Sequence, residues 1–169
     1  MTLVRRAHPH DAPELVALAE AVGREEERWI LTVSEWRSVA DERRYLKAVQ
    51  RHPDAAVFVA EDEGRVVARL SLSRDPHPAS AHVADLGLMV AASQRRRGIG
   101  RALLDEAVAW ARASRITKLQ LHVFPWNEPA IRLYESYGFE REGYRKGHYL
   151  RGCEAVDAIL MALFVTSEP

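Results

Sequence analysis

Leu88-Met89-Val90-Ala91-Ala92-Ser93-Gln94-Arg95-Arg96-Arg97-Gly98-Ile99-Gly100-Arg101-Ala102 is the stretch on which the reading of this chain turns. An apolar strand end runs into a loop of arginines and glycines, and the loop opens a helix. Gly98 and Gly100 let the backbone bend tightly and come close to a ligand. Amides at a helix N-terminus have no intrahelical partner and point at anything anionic. Arg95, Arg96, Arg97 and Arg101 add positive charge around them. Such a segment suits a phosphate or pyrophosphate, and read alone it also suits a solvated arginine turn that caps a helix. A G-x-x-x-x-G-K-[ST] loop is missing, and so is a complete G-x-G-x-x-G followed by an acidic residue, which removes two other nucleotide folds.

Outward from that loop, Ala81 to Val90 reads as the preceding strand and Arg101 to Ser114 as the following helix, with Ala102, Leu103, Ala107, Val108 and Ala111 near helical spacing. Upstream, Ala55 to Ala60 and Val66 to Leu72 flank the turn residues 61–65 as a hairpin. Thr2 to Arg5 is a first strand. Asp11-Ala12-Pro13-Glu14 predicts a helix start in which Asp11 caps and Glu14 reaches back. A second helix is expected from Ser34-Glu35-Trp36 to Gln50, ended by His52-Pro53. Downstream, Leu119 to Phe124 alternates as a strand, Glu128 to Ser136 is a short helix with Pro129 in its first turn, and Gly138 lies just past its end. Phe139 to Arg145 and Ala155 to Val165 complete the pattern as two strands. The order mixes strands and helices in the manner of an α/β sheet with helices packed on it.

Composition sets the class of partner. The chain has 169 residues, 47% of them hydrophobic, enough for one domain over 1–169 with a sizeable core. Lys plus Arg and Asp plus Glu are 24 each, so nothing in the charge points to nucleic acid. Cys153 is the single cysteine, which excludes an internal disulfide and suits a reducing compartment. Neither a signal-peptide run nor a stretch of membrane-span length is visible, and the expected location is the cytoplasm, with no membrane partner. The histidines show no zinc-like spacing, so no metal is expected. Trp29, Trp36, Trp110 and Trp126 read as packing residues.

Arg95-x-x-Gly98-x-Gly100 resembles the acyl-CoA signature R/Q-x-x-G-x-G/A of the GNAT superfamily of N-acetyltransferases. Asn127-Glu128-Pro129-Ala130-Ile131-Arg132-Leu133-Tyr134-Glu135-Ser136-Tyr137-Gly138-Phe139 is similar to that superfamily's second signature, N-x-x-A-x-x-L-Y-x-x-x-G-F, at every specified position. The resemblance implies the GNAT acyl-CoA N-acyltransferase fold: a mixed central sheet of about seven strands with helices on both faces. It implies acetyl-CoA as co-substrate. The pyrophosphate would lie over the amides of Arg96, Arg97, Gly98, Ile99, Gly100 and Arg101. Backbone groups along Leu88, Met89 and Val90 would pair with the pantetheine arm, and Asn127 and Ala130 would border it. Tyr134 would stand near the thioester sulfur as proton donor, with a core tyrosine as the rival reading.

An acidic residue on the strand before the loop assists the amine in many members. Asp85 takes that place here, either in proton removal or in binding an ammonium ion. His122 reads more as a packing residue, Tyr144 to Tyr149 as lining of the acceptor side, and Trp29 and Trp36 as residues that could border it. The tail Gly143 to Ala162 resembles the ending of stand-alone bacterial acetyltransferases. The implied acceptor is a small amine or amino acid. A protein or peptide acceptor, a homodimer and a non-catalytic acyl-CoA sensor are further expectations.

Overall fold

The computed structural model describes residues 2–30 and 36–165. Its elements follow in chain order: β1 (Leu3–Arg6), α1 (Ala12–Gly23), α2 (Val39–Arg51), β2 (Ala55–Asp62), β3 (Arg65–Arg74), β4 (Val83–Val90), α3 (Ile99–Ala113), β5 (Lys118–Val123), α4 (Glu128–Tyr137), β6 (Glu140–Arg151) and β7 (Glu154–Phe164). The strands form one sheet in the order β1-β2-β3-β4-β5-β7-β6. All neighbours are antiparallel except β4 and β5, which run parallel across the α3 crossover.

β2 explains how the layers arise. Ala56, Phe58 and Ala60 point to one face, into a core with Leu103, Leu104 and Ala107 of α3. Val57 and Val59 point to the other, against Leu15, Leu18 and Val22 of α1 and Leu46 and Val49 of α2. A strand buried on both sides reads as a continuous apolar run. α1 and α2 therefore cover one face, and α3 and α4 the other.

Local chemistry shifts several expected boundaries. α2 begins at Val39, where Ser38 accepts from Asp41 N at 3.1 Å, an N-cap the sequence reading passed over. Trp36 precedes the helix, and the expected start at Ser34-Glu35 lies outside the described residues. β4 begins at Val83, because Pro78–Ser80 form a turn of 3₁₀ helix before it. Asp11 and Glu14 do not form the expected capping box. Asp11 instead takes a bidentate contact from Arg5, at 2.8 and 2.9 Å, and the His8 amide at 2.7 Å. Glu14 Oε2 accepts from the Val66 amide at 2.7 Å, where the β2–β3 register shifts.

Asp11 is buried, which pushes its carboxyl pKa up, yet the hydrogen bonds from Arg5 and His8 and the Arg5 charge outweigh that and hold it below the usual carboxylate value. A depressed carboxylate contributes stability that is present above its unfolded pKa of about 3.9 and is lost as pH falls through the folded value. Asp11→Asn should therefore lower the unfolding free energy by about 1–3 kcal/mol at neutral pH. Urea titrations of both proteins should converge as the pH falls through the depressed folded value of Asp11.

Candidate active site

β4 and β5 pair over only three positions, Val83 with Lys118, Ala84 with Leu119 and Asp85 with Gln120. Beyond them β4 continues to Val90 against β3, and β5 continues to Val123 against β7. The strands part, and the sheet opens in its middle. The Ala91 amide donates to Val67 O at 2.9 Å, which fixes the direction of the β4 backbone. Met89 and Gly87 share the parity of Ala91 and turn their polar groups to β3, so those of Leu88 and Val90 face the gap. A cavity of about 1060 Å³ occupies this opening, with Leu88, Met89 and Val90 on its wall.

At the wide end lies the arginine-glycine loop. Arg96 has φ +64° and Gly98 φ +80°, so the chain turns through left-handed geometry before α3. α3 starts at Ile99, two residues before its expected start, and its first turn closes with Ala102 N donating to Gly98 O at 3.0 Å. The amides of Ile99, Gly100 and Arg101 precede that bond in the helix and face its N-terminal end. A side chain added at Gly98 would meet nothing within 4 Å, whereas one at Gly100 would stand 2.7 Å from Leu133 Cδ2. Gly98 thus keeps the turn and the open space above it, and Gly100 lets α4 approach α3. Arg96 and Arg101 line the cavity, Arg101 above the Tyr137 ring at 5.3 Å.

Two of the loop arginines are held by carboxylates, although Arg95 still lines the cavity. Arg95 makes a bidentate pair with Glu25 at 2.6 and 2.7 Å, and its Nε donates to Val90 O at 3.1 Å. Arg97 reaches Gln94 and, at 3.3 Å, Asp62, and does not itself line the cavity. Glu25 belongs to a strap over the opening. Trp29 Nε1 donates to Glu25, Trp126 Nε1 to Glu27 O, and Arg151 Nη2 to Ile30 O. Trp126 is exposed and stacked on Phe124, so it ties the strap to the cleft and does not pack in the core.

The opposite wall comes from α4. Asn127 caps this helix, its Oδ1 accepting from Ala130 N at 3.3 Å. Its other amide edge remains for the cleft, which both residues line. Tyr134 also lines it but is only 5% exposed, with its ring against Phe139. Burial pushes its phenol well above the ordinary value, so the hydroxyl stays protonated at neutral pH.

The narrow end gathers Asp85, His122 and Tyr149. Asp85 Oδ1 accepts from Gln120 Nε2 at 2.9 Å. His122 Nδ1 lies 2.5 Å from Tyr149 Oη. Burial lowers the His122 pKa, helped by the Arg145 and His148 charges and opposed by Asp85, which keeps the imidazole neutral at pH 7. His122 is therefore a cleft residue, contrary to its reading as packing. Tyr144 is not a lining residue, because it points outward to Asp157 at 2.6 Å. The sequence reading missed Arg37, Tyr45, Arg69 and Ser71, all on the cavity wall. One signal was present: Arg69 interrupts the apolar strand Val66–Leu72, where a charge needs a reason. Among the described residues no group of His, Cys, Asp or Glu could hold a metal ion.

An opened parallel pair leading into a helix-capping arginine-glycine loop is one architecture, and comparison with known proteins gives it a family. The profile of the Acetyltransferase (GNAT) family matches residues 14–139. The L-amino acid N-acetyltransferase AaaT of Escherichia coli K12 is 40% identical over 114 residues, 65% of this chain and 68% of that protein. The [ribosomal protein bS18]-alanine N-acetyltransferase of Salmonella typhimurium is 39% identical over 69 residues, 41% of this chain and 47% of that protein. The structure of yncA, a putative acetyltransferase from Salmonella typhimurium with its cofactor acetyl-CoA, superposes with a TM-score of 0.87 at 18% identity, covering 100% of this chain and 96% of that one. The chain belongs to the GNAT acetyltransferase family.

Gly98→Val tests the loop. A β-branched residue at φ +80° is strained by about 1–3 kcal/mol, and its methyl groups would stand in the open space above the turn. Acetyl-CoA affinity should fall by at least about tenfold in a protein that still folds, and calorimetry reads this directly. Unchanged affinity would remove the loop from phosphate binding.

Proposed function

We propose that this protein transfers the acetyl group of acetyl-CoA to the primary amine of a small acceptor, an amino acid or a close relative, by direct attack. The observation that carries this reading is the parted β4–β5 pair, with backbone that has no strand partner at one end and His122 beside the Asp85 carboxylate at the other. Acetyl-CoA supplies a thioester whose acetyl carbon bonds to the amine nitrogen as the carbon–sulfur bond breaks. Backbone groups of Leu88 and Val90 fit an amide-bearing pantetheine arm as an added strand would. The amides of Arg96 to Arg101, with the Arg96 and Arg101 side chains, hold the pyrophosphate, and Asn127 and Ala130 flank the arm. The family membership and the amino-acid acceptor in the name of the Escherichia coli relative support the acceptor class.

The amine arrives as an ammonium ion and must lose a proton before it can attack. In this reading the Asp85 carboxylate holds the ammonium, and His122 accepts the proton. The tautomer required has Nδ1–H given to Tyr149 Oη, so that the lone pair stands on Nε2. Tyr134 meets the departing thiolate as a hydrogen-bond donor. A thiol pKa of about 8.5 makes that thiolate a tolerable leaving group, so the phenol's help is limited.

Purified protein mixed with a panel of amines, amino acids and peptides, with released thiol as the readout, tests the activity. Neutral His122 should act only above its lowered pKa, so kcat/KM should fall on the acid side as pH drops through that value, lower than the ordinary imidazole pKa of about 6.5. His122→Gln should depress the rate and flatten that limb. Asp85→Asn should raise the acceptor KM and push the limb to lower pH, because the charge that raises the His122 pKa is gone. A His122→Gln profile superimposable on wild type would exclude His122 as base. In single-turnover transfer, Tyr134→Phe should slow the chemical step by about a hundredfold or less at unchanged acetyl-CoA affinity. A step as fast as wild type would make Tyr134 a packing residue.

A further inference from the structure

The cleft wall holds a charge cluster that acetyl transfer, as described above, does not use. Glu42, 0% exposed on α2, lies between two guanidinium groups. Arg37 Nη1 donates to its Oε2 at 2.8 Å, and Arg69 Nη1 stands 3.1 Å from its Oε1. The second contact is out of line for a hydrogen bond: Glu42 Oε1 and Arg69 Nε and Nη1 are buried without a hydrogen-bonding partner. Arg69 is 3% exposed on β3. The Arg37 guanidinium lies 4.2 Å from the Tyr45 ring centre, and Arg69 lies 5.2 Å from that of Trp36. Arg37, Arg69, Tyr45 and Trp36 all line the cavity.

Two cations share one anion here. Arg69 is taken out of water with Glu42 and a Tyr45 contact for company, while Arg37 keeps part of its surface in solvent, so the trio leaves one positive charge at the cleft for an anion to meet. Aromatic faces soften the cost of that burial without cancelling it. The β3–β4 register places Arg69 opposite Met89, Ser71 opposite Gly87 and Ser73 opposite Asp85. Arg69, Ser71 and Asp85 therefore share one sheet face, with the side-chain-free Gly87 between the charged ends. The trough is anionic at Asp85 and cationic at Arg37 and Arg69.

We propose that this cluster is a carboxylate subsite, so that the acceptor is a zwitterion: a free amino acid whose ammonium meets Asp85 and whose carboxylate is taken at Arg37 and Arg69. Tyr45 and Trp36 flank the carboxylate end. A simple amine has nothing to offer the cationic end, and a peptide N-terminus carries a neutral amide where the carboxylate would be. This assignment rests on the acetyl-transfer reading, and its test separates the two.

Acetylation of L-phenylalanine and L-methionine is compared with that of their amides. Amides of amino acids have the more readily deprotonated amine, so a preference for the free acids cannot come from amine reactivity. Wild type should favour the acids in kcat/KM by about tenfold or more. Arg37 is 42% exposed, so Arg37→Gln can be made without emptying the core. It leaves one guanidinium on Glu42 and no net charge. The acid-over-amide ratio should fall about tenfold, through the acceptor KM, and Arg37→Lys should restore part of it. In parallel, calorimetry with coenzyme A present compares N-acetyl-L-phenylalanine with its amide, a readout that needs no turnover. Tighter binding of the acid by wild type, lost in Arg37→Gln, supports the subsite even where thiol release fails. Equal treatment of acids and amides by wild type, or an unchanged ratio in folded Arg37→Gln, overturns it and leaves acetyl transfer standing.

Discussion

Val83, Ala84 and Asp85 hold β4 to β5, and the two strands then diverge. This divergence places an open strand edge in the middle of a sheet, where backbone N–H and C=O groups would ordinarily be paired. β5 keeps its other edge on β7 through Val123, and β4 keeps its own on β3 through Val90, so neither strand can bend back to close the gap. Arg95 Nε caps Val90 O from the loop that follows. The rest of the proposed site is built on this opening. In the proposed function the phosphates lie at its wide end, where α3 begins, and the amine at its apex, where Asp85 and Gln120 are the last β4–β5 pair.

The strap across the opening joins what the divergence separates. Glu25 binds the arginine loop through Arg95, Glu27 O is held by Trp126 from the loop before α4, and Ile30 O is held by Arg151 at the end of β6. Trp29 and Ile30 line the cavity from above. Each tie comes from a different element around the cleft, so the strap's position reports on all of them. It also explains the fate of Arg95. A free guanidinium at that point could serve a phosphate directly, but the bidentate carboxylate leaves it mostly as a support for the loop's shape.

The elements were legible where one signal dominated. The continuous apolar run of β2, the proline after α2 and the paired glycines of the loop each allow one local structure. The wall of the cleft was less legible because it depends on pairs distant in sequence. His122 and Tyr149 stand on β5 and β6, and only the β5–β7 and β6–β7 registers together, the second with its irregularity between Arg145 and Tyr149, bring them to 2.5 Å. Arg69 was visible as a charge inside an apolar strand, but its partner Glu42 lies 27 positions earlier, on a helix whose start was misread. Glu25 sits in a run of charges that reads as a solvated face until Arg95 is folded against it.

Burial of Tyr134 bears on how much it can do. The ring belongs to the core that also holds Ile131 and Phe139, and the residue lines the cleft as well. The same desolvation that keeps the phenol protonated makes it a weaker acid than a phenol in water, whose pKa is about 10. Handing a full proton to a thiolate of pKa about 8.5 is therefore uphill. A hydrogen bond that strengthens as charge gathers on sulfur has no such penalty, and it is worth more in a dry site than in water. Tyr134 is thus suited to stabilise the departing thiolate while solvent completes its protonation. Its aromatic ring would be retained for packing in any case, which couples the stability of the α4 wall to the chemistry at its edge.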